Sequence, residues 1–112
     1  MKIQTASLLL AITVLPYATT QACDVPDAPP TPDGSSATLE DMIAAQGEVK
    51  AFQAANAEYL ECVDNLMASE KASVTEGDKS AKERFALAAA DYNAAVSREE
   101  QVAADFNAAI RA

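Results

Sequence analysis

The chain contains no histidine and no tryptophan, only three glycines, and 8 basic residues against 17 acidic ones. Each scarcity removes a class of function. Without histidine there is no Ser-His or Cys-His nucleophile pair and no histidine-based zinc or di-iron site. With few glycines there is no glycine-rich phosphate loop, and no calcium loop with alternating acidic ligands occurs. A formal charge of −9 over 112 residues disfavours nucleic acid and anionic membrane surfaces as partners. No apolar run reaches the roughly 20 residues that a bilayer-spanning helix needs. The length allows one small domain.

The beginning, MKIQTASLLLAITVLPYATTQA, has Lys2 followed by an apolar run from Ala6 to Leu15, then Pro16 and a polar stretch ending in Ala22. This is the layout of a secretory signal peptide cut after Ala22 and spanning 1–22. The apolar core is too short for a membrane anchor. Such a cut would make Cys23 the first mature residue and raise the question of lipid attachment. However, Thr20-Gln21-Ala22-Cys23 departs from the Leu-Ala-Gly-Cys type of lipobox, so a periplasmic or secreted protein is expected rather than a lipoprotein. The mature chain is expected to lack a transmembrane span.

Two cysteines, Cys23 and Cys62, are present. In an oxidising compartment an even number normally pairs, so an intramolecular disulfide is expected. Two thiols so far apart, with no histidine, make a poor redox or metal site.

Residues 23–37 hold four of the five prolines, at 26, 29, 30 and 32. Prolines exclude helix and favour extended backbone, with a turn at Pro32-Asp33-Gly34. Composition alone would also suit a flexible linker. Cys23 argues for order. From Thr38 to Cys62 a helix rises ~36 Å, and an extended strip from Cys23 to Thr38 reaches ~46 Å. A strap lying antiparallel on the first helix would therefore just reach Cys62.

Residues 38–112 read as a helical hairpin, with helices over about 38–69 and 80–110. Thr38 is placed to cap the first helix, with Asp41 at the capping-box position. Heptad lines then follow. Met42, Val49 and Val63 form one, interrupted by Asn56; Ala45, Phe52, Tyr59 and Leu66 form another; Gln46, Gln53, Leu60 and Met67 flank them. Gly47, in mid-helix, is either an approach point for the strap or a harmless surface glycine. The second helix has its better capping box at Ser80-Ala81-Lys82-Glu83. Its stripe runs through Phe85, Ala88/Ala89, Tyr92, Ala95/Val96, Glu99, Val102/Ala103, Phe106 and Ala109/Ile110. The expected fold is all-α: a coiled-coil-like antiparallel two-helix hairpin with a proline-rich strap tied to the first helix by the Cys23–Cys62 disulfide.

Folding about Gly77 would set Val49 near Phe106, Val63 near Tyr92, and Asn56 within about a turn of Glu99. Asn56 and Glu99 interrupt otherwise apolar lines, so they are candidates for a shared polar layer that fixes register. Independent solvated positions are the alternative. Other carboxylate groupings, Glu58 with Glu61 and Glu99 with Glu100, are neighbours on single helices and read as solvated faces. Asp24, Asp27 and Asp33 would hold a cation only weakly. No asparagine is followed two positions later by serine or threonine, so no glycosylation site appears. No catalytic, cofactor-binding or metal-binding residue is assigned.

The residues Cys23, Pro29-Pro30-x-Pro32-Asp33-Gly34, Val49-x-x-Phe52, Tyr59 and Cys62 resemble a set of small exported bacterial proteins that carry no assigned activity. The likeness covers roughly residues 23–63. It implies a bacterial periplasmic or secreted origin and the same cysteine pairing, and transfers no functional residue. The expected function is therefore that of a non-enzymatic exported protein of the bacterial envelope acting through contact with a protein partner. A homodimer is one form of such contact, since one face of each helix is left uncovered. The alternative is a small carrier for an apolar ligand held between helices and strap.

Overall fold

The computed structural model describes residues 23–112, which form two helices, α1 (Leu39–Thr75) and α2 (Ala81–Arg111). Residues 1–22, read from the sequence as a signal peptide, lie outside the described residues. α1 starts where the sequence places its cap. Thr38 Oγ1 accepts from the Asp41 amide at 3.1 Å, and Asp41 Oδ2 accepts from the Thr38 amide at 3.0 Å. This reciprocal box satisfies two otherwise orphaned donors. The Thr38 amide, followed by the Thr38 side chain, favours the charged carboxylate and holds Asp41 below the usual aspartate range.

The far end differs from expectation. α1 continues six residues past Ser69, because Glu70, Lys71, Ala72 and Ser73 contain nothing that stops a helix. What stops it is Gly77, which adopts φ +96. The Gly77 amide donates to the Val74 carbonyl and the Asp78 amide to the Ser73 carbonyl, both within 3.1 Å. This is a Schellman arrangement, with glycine at the left-handed position.

The box expected at Ser80 does not form: Ser80 has helical backbone angles and makes no side-chain cap bond. Its hydroxyl donates instead to Asp78 Oδ1 at 2.8 Å, and Arg84 gathers the connection. Arg84 donates through Nε to Glu70 at 3.0 Å, through Nη1 to the Ser80 hydroxyl at 2.8 Å, and through Nη2 to Asp78 at 2.8 Å. The short connection between the helices is thus held by side chains from both sides of it.

The Ser80 hydroxyl, followed by Arg84, pulls Asp78 down to about 2 from an ordinary 3.8. A depressed carboxylate contributes stability that is present above its unfolded pKa and lost as pH falls through the folded one. The connection is therefore expected to loosen between about pH 4 and 2. A carboxyl NMR titration should place Asp78 near 2 in the native protein and closer to 3.8 in Arg84→Gln. An unmoved midpoint would remove Arg84 from the network.

The helices pack on a contact rich in alanine. Ala81, Ala88, Ala95 and Ala109 of α2 are buried, against Ala45, Phe52, Asn56, Tyr59 and Val63 of α1. Alanine on one side with large side chains on the other lets the backbones approach closely. Tyr59, Val63, Ala88 and Ala95 form the central cluster, with Cys23, Leu60, Met67 and Tyr92 packed around it. The register is offset from the one counted about Gly77. Asn56 meets Ala95, and Phe106 shares a groove with Met42 and Gln46 rather than lying opposite Val49. The longer α1 shifts the point about which the chain folds.

Residues 23–33 contain neither helix nor strand. Cys23 is disulfide-bonded to Cys62 of α1. Successive surface grooves place Cys23–Pro26 beside Ala55–Cys62, Pro26–Pro30 beside Glu48–Ala55, and Pro30–Pro32 beside Asp41–Glu48. A turn follows, in which the Ser36 and Ala37 amides donate to the Asp33 carbonyl at 3.1 and 2.8 Å. Its Asp33 carboxylate accepts from the Ser35 hydroxyl at 2.6 Å and the Ser35 amide at 3.0 Å. These bonds, with a smaller contribution from the Ser36 side chain, lower the Asp33 pKa.

Gly34 sits in this turn directly against the backbone of Ala109, so that a Cβ would overlap the Ala109 carbonyl. A β-carbon on Gly47 would meet nothing within 4 Å, which settles Gly47 as a surface glycine and not an approach point. The two positions should respond oppositely to alanine. Gly34→Ala forces backbone apart and should cost about 1–3 kcal/mol. Gly47→Ala should gain up to about 1 kcal/mol from helix propensity. Urea melts of the two variants test the pair, and equal responses would refute the packing at Gly34.

Candidate functional site

Of the residues singled out in the sequence, Cys23 and Cys62 are joined, and no free cysteine remains among the described residues. Beside the bond lies a groove of about 520 Å³ lined by Cys23, Asp24, Val25, Pro26, Ala55, Glu58, Tyr59 and Cys62. It combines an aromatic ring with two carboxylates. Its cysteines are consumed in the disulfide.

Asn56 is fully buried, with 0 % of its surface exposed. Its Nδ2 donates to the Ala95 carbonyl across the helix contact at 3.2 Å. Oδ1 has no hydrogen-bond partner among the described residues. Glu99 lies one turn further along α2, half-buried, and the Asn56 amide goes to the Ala95 backbone rather than to its carboxylate. The heptad count identified Asn56 as an interruption. It gave no sign that a backbone carbonyl would receive the amide, because sequence patterns describe side chains only. Arg98, not singled out in the sequence, places Nη1 in a buried position without a hydrogen-bond partner among the described residues. Its place in the helix pattern gave no signal of this.

A second groove, of about 320 Å³, lies where the start of α1 meets the end of α2, lined by Leu39, Met42, Ile43, Gln46, Phe106 and Ile110. Leu39, Ile43 and Ile110 are 76, 58 and 58 % exposed, which is unusual for residues of this size that stand together. Leu39 with Ile43 on α1, and Phe106 with Ile110 on α2, are pairs at i and i+4, so they form one continuous surface.

No family model matches the chain, and no curated protein or solved structure shows significant similarity to it. Function must therefore be argued from these surfaces alone. Among the described residues no group of three or more histidine, cysteine, aspartate or glutamate side chains is placed to hold a metal. Among them, too, no helix is long and apolar enough to cross a membrane.

Proposed function

We propose that this is an exported, non-enzymatic protein of the bacterial envelope that acts by presenting a helical surface to another protein. The observation that carries this reading is the uneven cover of the hairpin. One side of α1 is lined by the proline-bearing residues 23–32. The other side, together with the matching side of α2, carries Met42, Val49, Leu60, Tyr92, Val96 and Phe106 half-buried, with Leu39, Ile43 and Ile110 exposed at one end. Half-buried apolar side chains over the length of a helix pair support a contact role. In this reading residues 23–37 are an ordered strap, antiparallel to α1 and held by the disulfide, that leaves one face for binding. Export to the periplasm or beyond is supported by the signal layout of residues 1–22 and by the cysteine pair.

The deciding experiment is affinity capture from envelope extract with the oxidised protein, run beside Ile110→Glu. Recovery of a partner by the native chain and its loss with the variant is the expected result. Equal recovery by both, or no recovery, would count against this face. The carrier reading draws on the apolar end groove and is tested with the same variant. An apolar fluorescent probe bound by the native chain and not by Ile110→Glu would favour it.

A further inference from the structure

We infer that the open face is covered by a second copy of this chain, in a four-helix arrangement whose two-fold axis runs parallel to the helices and sets α1 of each copy on α2 of the other. This deepens the contact reading by naming a partner, and can fail separately from it.

The extent of the face comes first. Along α2 it runs from Phe85 to Ile110 through Tyr92, Val96, Ala103 and Phe106, all of these but Ile110 half-buried. That distance is about 38 Å. Two neighbouring helices present a surface about 19 Å across, so the face offers roughly 700 Å² per copy, close to the ~800 Å² per partner of a standard interface. A single short peptide would leave much of it open. A hairpin with the same length and the same heptad spacing covers it in one step.

The edges of the face then offer an ion pair that suits this symmetry. The register is fixed by Asn56 on Ala95 and by Arg84 on Glu70, and it puts Lys50 and Glu100 at the same height on opposite helices. At 100° per residue Lys50 lies about 120° round α1 from Asn56, and Glu100 about 140° round α2 from Ala95. Both turn toward the side that carries Gln46 and Ile110. They stand on the two outer edges of the open face, exposed, and among the described residues the only ion pairs are those of Arg84. A two-fold parallel to the helices brings Lys50 of each copy to Glu100 of the other, twice per dimer. A two-fold across the helices would instead stack α2 on itself, where Glu100 shares its stripe with Lys82 and Arg111, and would form no Lys50–Glu100 pair between copies. Inside the face the polar side chains are Gln46, Gln53, Asp64 and Glu99. Gln53 stands at the height of Glu99 and brings amide donors to a carboxylate that would otherwise be covered without a partner.

The test is sedimentation velocity on the oxidised, exported chain at micromolar concentration, with charge-swap variants at these exposed positions. The native protein should sediment at twice the chain mass. Lys50→Glu alone or Glu100→Lys alone should weaken dimerisation about tenfold, since each change removes two edge pairs and creates two like-charge contacts. The double variant K50E/E100K should restore it, and Ile110→Glu should abolish it with the circular dichroism melt retained. A monomeric native protein overturns the inference. So does a dimer whose affinity the double variant fails to restore. A monomer that still captures an envelope partner would sink the dimer and leave the contact reading standing. A dimer that captures no other protein would establish the second copy on this face and overturn an envelope partner there.

Discussion

Replacing both Cys23 and Cys62 with serine is expected to destabilise the protein by about 4 kcal/mol. The bond closes a loop with a sequence separation of 39 residues, and the chain-entropy estimate for a loop of that size is about 4 kcal/mol. Small domains have only about 5–15 kcal/mol in total. In a domain of this length each kcal/mol moves the melting temperature by about 4–8 °C, so the midpoint should fall by roughly 15–30 °C. Thermal melts of the variant, and of the native protein with and without reductant, measure the effect. The reduced native protein should melt close to the variant. If all the melts coincide, residues 23–37 are held by their own packing at Gly34 and along α1, and the covalent tie adds nothing to stability.

The second large effect is expected at Asn56. The side chain is fully buried, and it donates Nδ2 to a carbonyl. Asn56→Asp keeps the shape and replaces that donor with an acceptor, so at neutral pH a carboxylate faces the Ala95 carbonyl without a donor. Breaking a buried polar arrangement in this way costs about 3–5 kcal/mol. The protonated acid, by contrast, can donate to the same carbonyl. Burial will therefore raise the folded-state pKa of the new group above its unfolded value. The folded state then binds more protons, and stability must rise as pH falls. The variant should be most damaged above neutrality and should recover as pH is lowered through the raised pKa. Asn56→Ala, with no titratable group, should show no such recovery. Urea denaturation at a series of pH values separates the two. A pH-independent deficit in Asn56→Asp would mean that the site has another donor for a carboxylate.

These two residues also mark how far the sequence could be read. The cysteine pairing and the helix pair followed from count, compartment and heptad spacing, all local or arithmetic properties. The Thr38 cap followed because its partner Asp41 is only three positions away. The end of α1 was less legible: the polar run after Ser69 looks like a loop, yet it carries helix-compatible residues as far as Gly77. Ser80 was misread for a related reason. Its hydroxyl had two competitors for partner, and Asp78 with Arg84 prevailed over the following backbone. At Asn56 the heptad line flagged an anomaly but could not choose between solvent, Glu99 and a backbone carbonyl. That choice depends on an offset of about one turn, which the length of α1 sets from twenty residues away. The sequence places Gly34 in a turn and Gly47 in a helix, but only the packed structure shows the Ala109 backbone against Gly34 and open space at Gly47.

The position of the Cys23–Cys62 bond has a mechanical consequence. A pull applied at Cys23 and resisted at the end of α2 would not travel through residues 24–61. It would cross the disulfide, enter α1 at Cys62, and continue through the last part of that helix and round the Gly77 turn. The proline segment and the first two-thirds of α1 lie off the covalent path, yet Asn56 ties them to Ala95, which is on it. Tension would therefore shear the contact between the helices, while residues 24–61 add no length. Force spectroscopy should therefore show extension from the residues beyond Cys62 only, with the remainder released when the bond is reduced.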